Sequence, residues 1–219
     1  MSTRFILVRH GETKWNQENV FRGQADIPLS EKGKRQAYLT GKALSSIPFD
    51  AIYSSPLLRA RQTAESIADW QKNCKNVVSD TGLIDLHFGA WQGLSVEEVL
   101  SRYPEEYKLW VSSPQYVKFP EGESLEAVRK RSWDFIQKVL CDSRDKTVCL
   151  VSHRVVVRLI LLTALGLDSS KFWNIEQGTC ALNMMTHEEK RGFVVYFMNE
   201  RCHLQPWSEA VLPFVPPPN

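Results

Sequence analysis

Three short polar clusters carry residue types that can bind and transfer a phosphoryl group. They are Arg9-His10-Gly11-Glu12-Thr13, Ser54-Ser55-Pro56-Leu57-Leu58-Arg59 and Ser152-His153-Arg154. Arginine presents a planar fork of donors matched to phosphate oxygens. A neutral imidazole is a competent nucleophile near pH 7, and a neighbouring cation keeps it unprotonated while neutralising an incoming anion. Two histidines beside Arg9 and Arg59 therefore suit attack on a phosphoryl dianion, if the fold brings them together. The chain has no HExxH, no GxxxxGK[ST] and no dense Asp cluster, so the expected chemistry uses no metal and no other cofactor.

Each cluster directly follows a short apolar run. Residues 5–8, 51–53 and 147–151 read as strands, and the first and third are apolar on both faces, as buried parallel strands are. Helix-period segments lie between them: from Ser30 to about Leu44, from Pro56 through Ile67 and Ala68, and from Leu125 through Val139. A further strongly apolar helix spans about 155–165. Residues 77–78 read as another strand. Residues 181–185 and 193–197 read as an antiparallel hairpin across a charged turn at 187–192. This alternation predicts an α/β three-layer sandwich, with a mostly parallel central sheet, an antiparallel edge and helices on both faces. In open parallel sheets ligands bind beyond the carboxyl ends of the strands, where all three clusters fall. A helix starting at Pro56 would add its positive end to the same place.

At this level the chain resembles the histidine phosphatase superfamily, to which the cofactor-dependent phosphoglycerate mutases belong. The resemblance is carried by Leu7-Val8-Arg9-His10-Gly11-Glu12-Thr13 with Trp15-Asn16, by Gly23 with Asp26-Ile27-Pro28-Leu29-Ser30 and Gly33, and by Ser54 to Ala60 with Gln62-Thr63-Ala64. Phe88-Gly89, Trp91, Gly93, Gly122-Glu123-Ser124 and Val151-Ser152-His153 follow in the family's order, over roughly residues 4 to 165. The resemblance implies that His10 becomes a phosphohistidine. It implies that Arg9, Arg59 and His153 bind the transferring group, with Asn16 and the Gly23 backbone assisting. The family's proton donor is usually a Glu three residues before the Phe-Gly pair; here that position is Asp85, one methylene shorter. Arg154 departs from the pattern as well, since Gly commonly follows the second histidine.

The second half is most similar to the metal-independent phosphoserine phosphatases of that superfamily, through Ser95-Val96-Glu97-Glu98-Val99, Arg102-Tyr103-Pro104-Glu105, Trp110, Ser170-Lys171-Phe172-Trp173 and Cys202-His203-Leu204. That branch grips its amino acid partly with a histidine where this chain has Phe88, with His87 one place earlier. His87, Arg154 and His203 are thus the candidates for substrate specificity. The implied activity is a phosphomonoesterase for a small phosphorylated metabolite, phosphoserine-like substrates leading. The alternatives are a 2,3-bisphosphoglycerate-dependent phosphoglycerate mutase, an α-ribazole phosphatase and a non-catalytic phospholigand-binding protein. Hydrolysis is favoured because the stretch from Gly93 to Glu121 is short and lacks the basic cluster of the mutases.

Composition bounds the rest. The chain has 219 residues, 43% hydrophobic and 24% charged, which suits one globular domain over 1–205 with a helical cap insertion at about 95–122. A Pro-rich arm at 206–219 would follow. A net charge of +2 gives little electrostatic drive toward nucleic acid. No apolar run reaches the ~18 residues of a membrane span. Five cysteines without a CxxC pair suit a reduced, cytoplasmic protein. The exposed hairpin edge and the arm permit a homodimer.

Overall fold

The computed structural model describes residues 2–204. Its central strand, β1 (Ser2–Arg9), sends alternate side chains to opposite faces: Phe5 and Leu7 join one hydrophobic core, Ile6 and Val8 the other. β4 (Thr147–Ser152) divides the same way, with Val148 and Leu150 on the first side and Cys149 and Val151 on the second. Strands buried on both faces must be covered on both, and they are. α2 (Glu31–Leu44) and α3 (Leu58–Ala68) cover the Ile6–Val8 side, through Leu44, Ala60, Ala64 and Ile67. α6 (Leu125–Asp142) and α7 (Arg154–Ala164) cover the other, through Val128, Phe135, Ile136 and the buried run 155–162.

β2 (Ala51–Ser54), β3 (Val77–Ser79), β5 (Leu182–Glu188) and β6 (Gly192–Glu200) complete a six-stranded sheet in the order β3-β2-β4-β1-β5-β6. β1, β2, β3 and β4 are parallel; β5 and β6 form the antiparallel edge. This is the three-layer α/β sandwich that the apolar runs predict. The order sets β4 between β1 and β2, so the three polar clusters emerge side by side.

Local chemistry starts the helices where the pattern predicts. Ser30 accepts from Gly33 N at 3.0 Å, and Ser124 accepts from Ala127 N at 3.1 Å. Ser95 and Glu98 form a reciprocal capping box at the start of α4 (Val96–Arg102), and Pro104 opens α5 (Pro104–Ser112). A short helix, α1 (Lys14–Gln17), follows the first cluster.

Two local expectations need correction. α3 begins at Leu58 rather than Pro56, because Ser55 Oγ accepts from Leu57 N and holds the preceding turn out of the helix. β5 runs on through Glu188, so the charged turn shrinks to 189–191. The pairs His187↔Phe193 and Glu188↔Gly192 continue the ladder there, since charged side chains on a solvated face do not end a strand. Cys180 lies before β5 in a turn with φ of +53°, although it is as buried as a strand thiol. The Pro-rich arm expected at 206–219 lies outside the described residues.

Candidate active site

The parallel ladder itself gathers the first groups. Beyond the last β1 pair, Arg9↔Ser152, His10 N donates to Ser152 O at 2.9 Å. Beyond β2, Ser55 N donates to Val151 O at 2.9 Å. His10, Ser55 and His153 are thereby locked to the end of one strand, β4, and the two imidazole centroids lie 5.1 Å apart.

Hydrogen bonds assign the tautomers. His10 Nδ1 is 2.7 Å from the Gly11 carbonyl, which can only accept, so Nδ1 carries the hydrogen and Nε2 keeps its lone pair. Burial, then Arg59 and Arg9, lower the His10 pKa well below its ordinary value and hold the ring neutral. The magnitude decides the matter: two like charges ~4 Å apart cost about 4 kcal/mol at an effective dielectric constant of ~20. Arg59 Nε lies 3.3 Å from His10 Nε2. His153 Nε2 meets Ser55 Oγ at 2.7 Å. Asp85 Oδ2, 3.6 Å from His153 Nδ1, favours a hydrogen on that nitrogen, with Ser55 Oγ then donating to Nε2. Burial and Arg59 likewise push the His153 pKa well down.

The guanidinium groups are held by backbone carbonyls. Arg59 is fully buried and donates to Ala25 O at 2.8 Å and Gly23 O at 2.7 Å. Gly23 has φ of +51°, and a Cβ there would collide with Gln92 Oε1. Only glycine holds that carbonyl under Arg59 without strain. Arg9 donates to Gln177 O. Among the residues expected to hold the phosphoryl group, two buried donor atoms, Arg9 Nε and His153 Nδ1, find no hydrogen-bond partner among the described residues. Buried donors left so are costly, and a bound oxyanion would satisfy them. Asn16 Oδ1 accepts from Thr13 N and Thr13 Oγ1, both at 2.9 Å, which fixes its side chain at the cavity wall.

Asp85 brings its Oδ2 to 3.2 Å from Arg59 Nη2 and 3.6 Å from His153 Nδ1. Its Oδ1 accepts from Leu86 N at 3.0 Å. Arg131 positions this loop: it pairs with Glu123 through 3.0 Å and 3.1 Å contacts and donates to Asp85 O at 3.0 Å. Glu123 in turn accepts from His87 N at 2.9 Å. The Gly-Glu-Ser element therefore clamps the loop that carries Asp85.

A cavity of about 450 Å³ opens over His10 and Asp85. Asn16, Arg22, Gly23 and Arg154 line its polar side. Phe88, Val96, Tyr107, Trp110 and Trp173 line its apolar side, three of these coming from the expected cap region, residues 95–122. Arg22 was not singled out from the sequence; its position immediately before Gly23 was the available signal. Neither His87 nor His203 lines this cavity. His87 Nδ1 accepts from Gly89 N at 3.1 Å, and His203 meets Thr40 of α2 at 3.0 Å and Glu200 at 3.4 Å. Among the described residues no group of three His, Cys, Asp or Glu could hold a metal ion. Nor is any described helix long and apolar enough to cross a membrane.

Comparison with known proteins finds relatives in both sequence and fold. Phosphoserine phosphatase 1 of Hydrogenobacter thermophilus is 40% identical over 201 residues, covering 92% of this chain and 94% of the relative. The fold of Bacillus stearothermophilus YhfR superposes with a TM-score of 0.88 at 27% identity, over 93% of this chain and all of that one. A phosphoserine phosphatase mutant from Entamoeba histolytica, solved with phosphoserine, superposes with a TM-score of 0.82 at 28% identity, again over 93% and 100%. A family model, the histidine phosphatase superfamily (branch 1), matches residues 5–200, and the chain belongs to that superfamily.

Proposed function

We propose that this phosphatase hydrolyses a small phosphorylated metabolite, phosphoserine-like substrates leading, by two in-line transfers through His10 and without a metal. The observation that carries the reading is the unprotonated Nε2 of buried His10, flanked by Arg59 and by donors that lack partners. In the first step Nε2 attacks phosphorus and the bond to the leaving oxygen breaks. Asp85 gives that oxygen its proton, which leaves phosphohistidine, a free alcohol and the Asp85 carboxylate. In the second, Asp85 takes a proton from water as the water oxygen attacks phosphorus. The N–P bond breaks, and phosphate and the starting acid are restored. Arg9, Arg59 and His153 stay fixed on the equatorial oxygens, where preorganised charge supplies most of the acceleration.

Hydrolysis rather than intramolecular transfer is supported by the cap, whose contribution to the wall is Val96, Tyr107, Trp110 and Val111, with no cation. All five cysteines are free, which suits a reducing cytoplasm. Tyr196, Phe197 and Met198 are exposed on the β6 edge, which suits a homodimer through that strand.

The test is phosphate release from a panel of phosphomonoesters, phosphoserine included, in excess EDTA, with His10→Ala alongside. Turnover should resist EDTA and fall on the order of 10⁴-fold or more in the variant. Activity that needs Mg²⁺ and survives His10→Ala would overturn the mechanism. A strict need for 2,3-bisphosphoglycerate would point to a mutase instead.

A further inference from the structure

Two arginines of the cavity wall remain outside the phosphoryl cradle. Arg154, the first residue of α7, lines the cavity and makes no hydrogen bond or ion pair to any described residue. Its guanidinium lies 5.9 Å from the Trp173 ring centroid. Arg22 reaches the same cavity from the loop before Gly23. It donates through Nη1 to Trp15 O at 3.1 Å, while its buried Nε has no partner.

Arg154 is held in place from behind. Arg158, one helical turn below, is fully buried, stacks 4.8 Å from Trp173 and 4.9 Å from Phe172, and faces Glu176 Oε2 at 3.2 Å. Trp173 is itself fixed, because its Nε1 donates to Trp110 O at 2.6 Å. Arg158 and Glu176 neutralise each other, whereas Arg59 faces the Asp85 that serves as the acid of the first step. Arg9, Arg22, Arg59 and Arg154 remain, four positive charges. A phosphoryl dianion answers two of them. Asp85 is the one carboxylate among the described lining residues, so a substrate ammonium has no anion of its own to meet there.

We propose that Arg22 and Arg154 form a second anion subsite that binds a carboxylate on the leaving group, so that the substrates are phosphorylated carboxylic acids recognised by the acid rather than by any amino group. Burial and mutual repulsion already depress Arg22, to about 10, so an anion between the two relieves a real electrostatic cost. The subsite rests on the phosphomonoesterase reading for its place beside the leaving oxygen, and the test separates the two.

3-Phosphoglycerate and glycerol 3-phosphate differ in a carboxylate against a hydroxymethyl group. The wild-type protein should favour the acid by about 10- to 100-fold in kcat/KM, the range of a charge-assisted contact. Arg154→Gln and Arg22→Gln should each collapse that ratio to below about 3-fold, and Arg154→Lys should restore much of it. Phosphoserine should gain little over 3-phosphoglycerate from its ammonium. Equal losses on both esters in the Gln variants, or no wild-type preference, would overturn the subsite. Calorimetry of both esters on His10→Ala reads the preference without turnover. If the acid binds more tightly there while the wild type releases no phosphate, the subsite stands and the phosphatase reading falls. Equal affinities would remove the subsite whatever the turnover.

Discussion

The division of labour between His10 and Asp85 predicts a leaving-group dependence. Asp85 lies within reach of Arg59 and His153, the two groups that also frame the phosphoryl position. The leaving oxygen must take up a proton as its bond to phosphorus breaks, and in the proposed first step Asp85 supplies it. Asp85→Asn keeps the shape but has no proton to give. We expect kcat on alkyl phosphates to fall by about 10²- to 10⁴-fold. p-Nitrophenyl phosphate, whose leaving group needs no proton, should lose far less in the first step. A burst of p-nitrophenol followed by slow turnover would show that the second step, activation of water, is now limiting. Equal losses on both substrates with no burst would remove Asp85 from the proton-transfer role.

At the scale of elements, the site depends on parts that never touch the substrate. Arg131 projects from α6, whose start is fixed by the Ser124 cap, and its guanidinium spans Glu123, Gly82 O and Asp85 O. One side chain thus ties a helix to the Asp85 loop. Arg131→Ala would free that loop while leaving His10 and its cradle in place. The expected result is a fall in kcat of about 10-fold or more on alkyl phosphates, as small misplacements of a catalytic group commonly cost. Stability should drop by about 1–3 kcal/mol, because Glu123 loses its partner. Thermal melts and steady-state kinetics on the same preparation check both. A drop in stability with unchanged kcat would reduce Arg131 to a packing role.

The whole molecule has a net charge of only +2, yet Arg22 and Arg154 line its cavity and Arg9 and Arg59 lie against its buried neutral histidines. Folding therefore depends on pH in a stated direction. His10 and His153 have folded-state pKa values depressed by burial and neighbouring arginines, whereas in the unfolded chain they return to about 6.5. Above that pH both states hold them neutral and nothing is lost. As pH falls below about 6.5 the unfolded chain takes up protons that the folded chain refuses, and stability declines by up to about 1.4 kcal/mol per group per pH unit. Tm in phosphate-free buffer should fall between pH 7 and pH 5, less steeply in a His10→Gln, His153→Gln double variant. A flat Tm across that range would contradict the assignment of both rings as neutral and buried.

Much of this was legible before any coordinates. Strands buried on both faces appear as unbroken apolar runs, and helices covering them repeat with their own period, so β4, α2 and α7 could be placed within a residue, while β1 and α6 each extend three residues further at one end. The polar clusters at strand ends were visible for the same reason, since the ladder leaves its last residues unpaired at the rim. Direction in space was not. Whether Arg22 or Arg131 reaches the cavity depends on which way a loop turns at Gly23 and which face of α6 meets Glu123. His87 and His203 had equal standing with Arg154 in the one-dimensional reading. The fold turned His87 toward Gly89 and His203 toward α2, and left Arg154 on the cavity wall. Periodicity records burial, which is a property of each element; convergence on a site depends on contacts between residues far apart in the chain, and only packing of the sheet, loops and cap decides those.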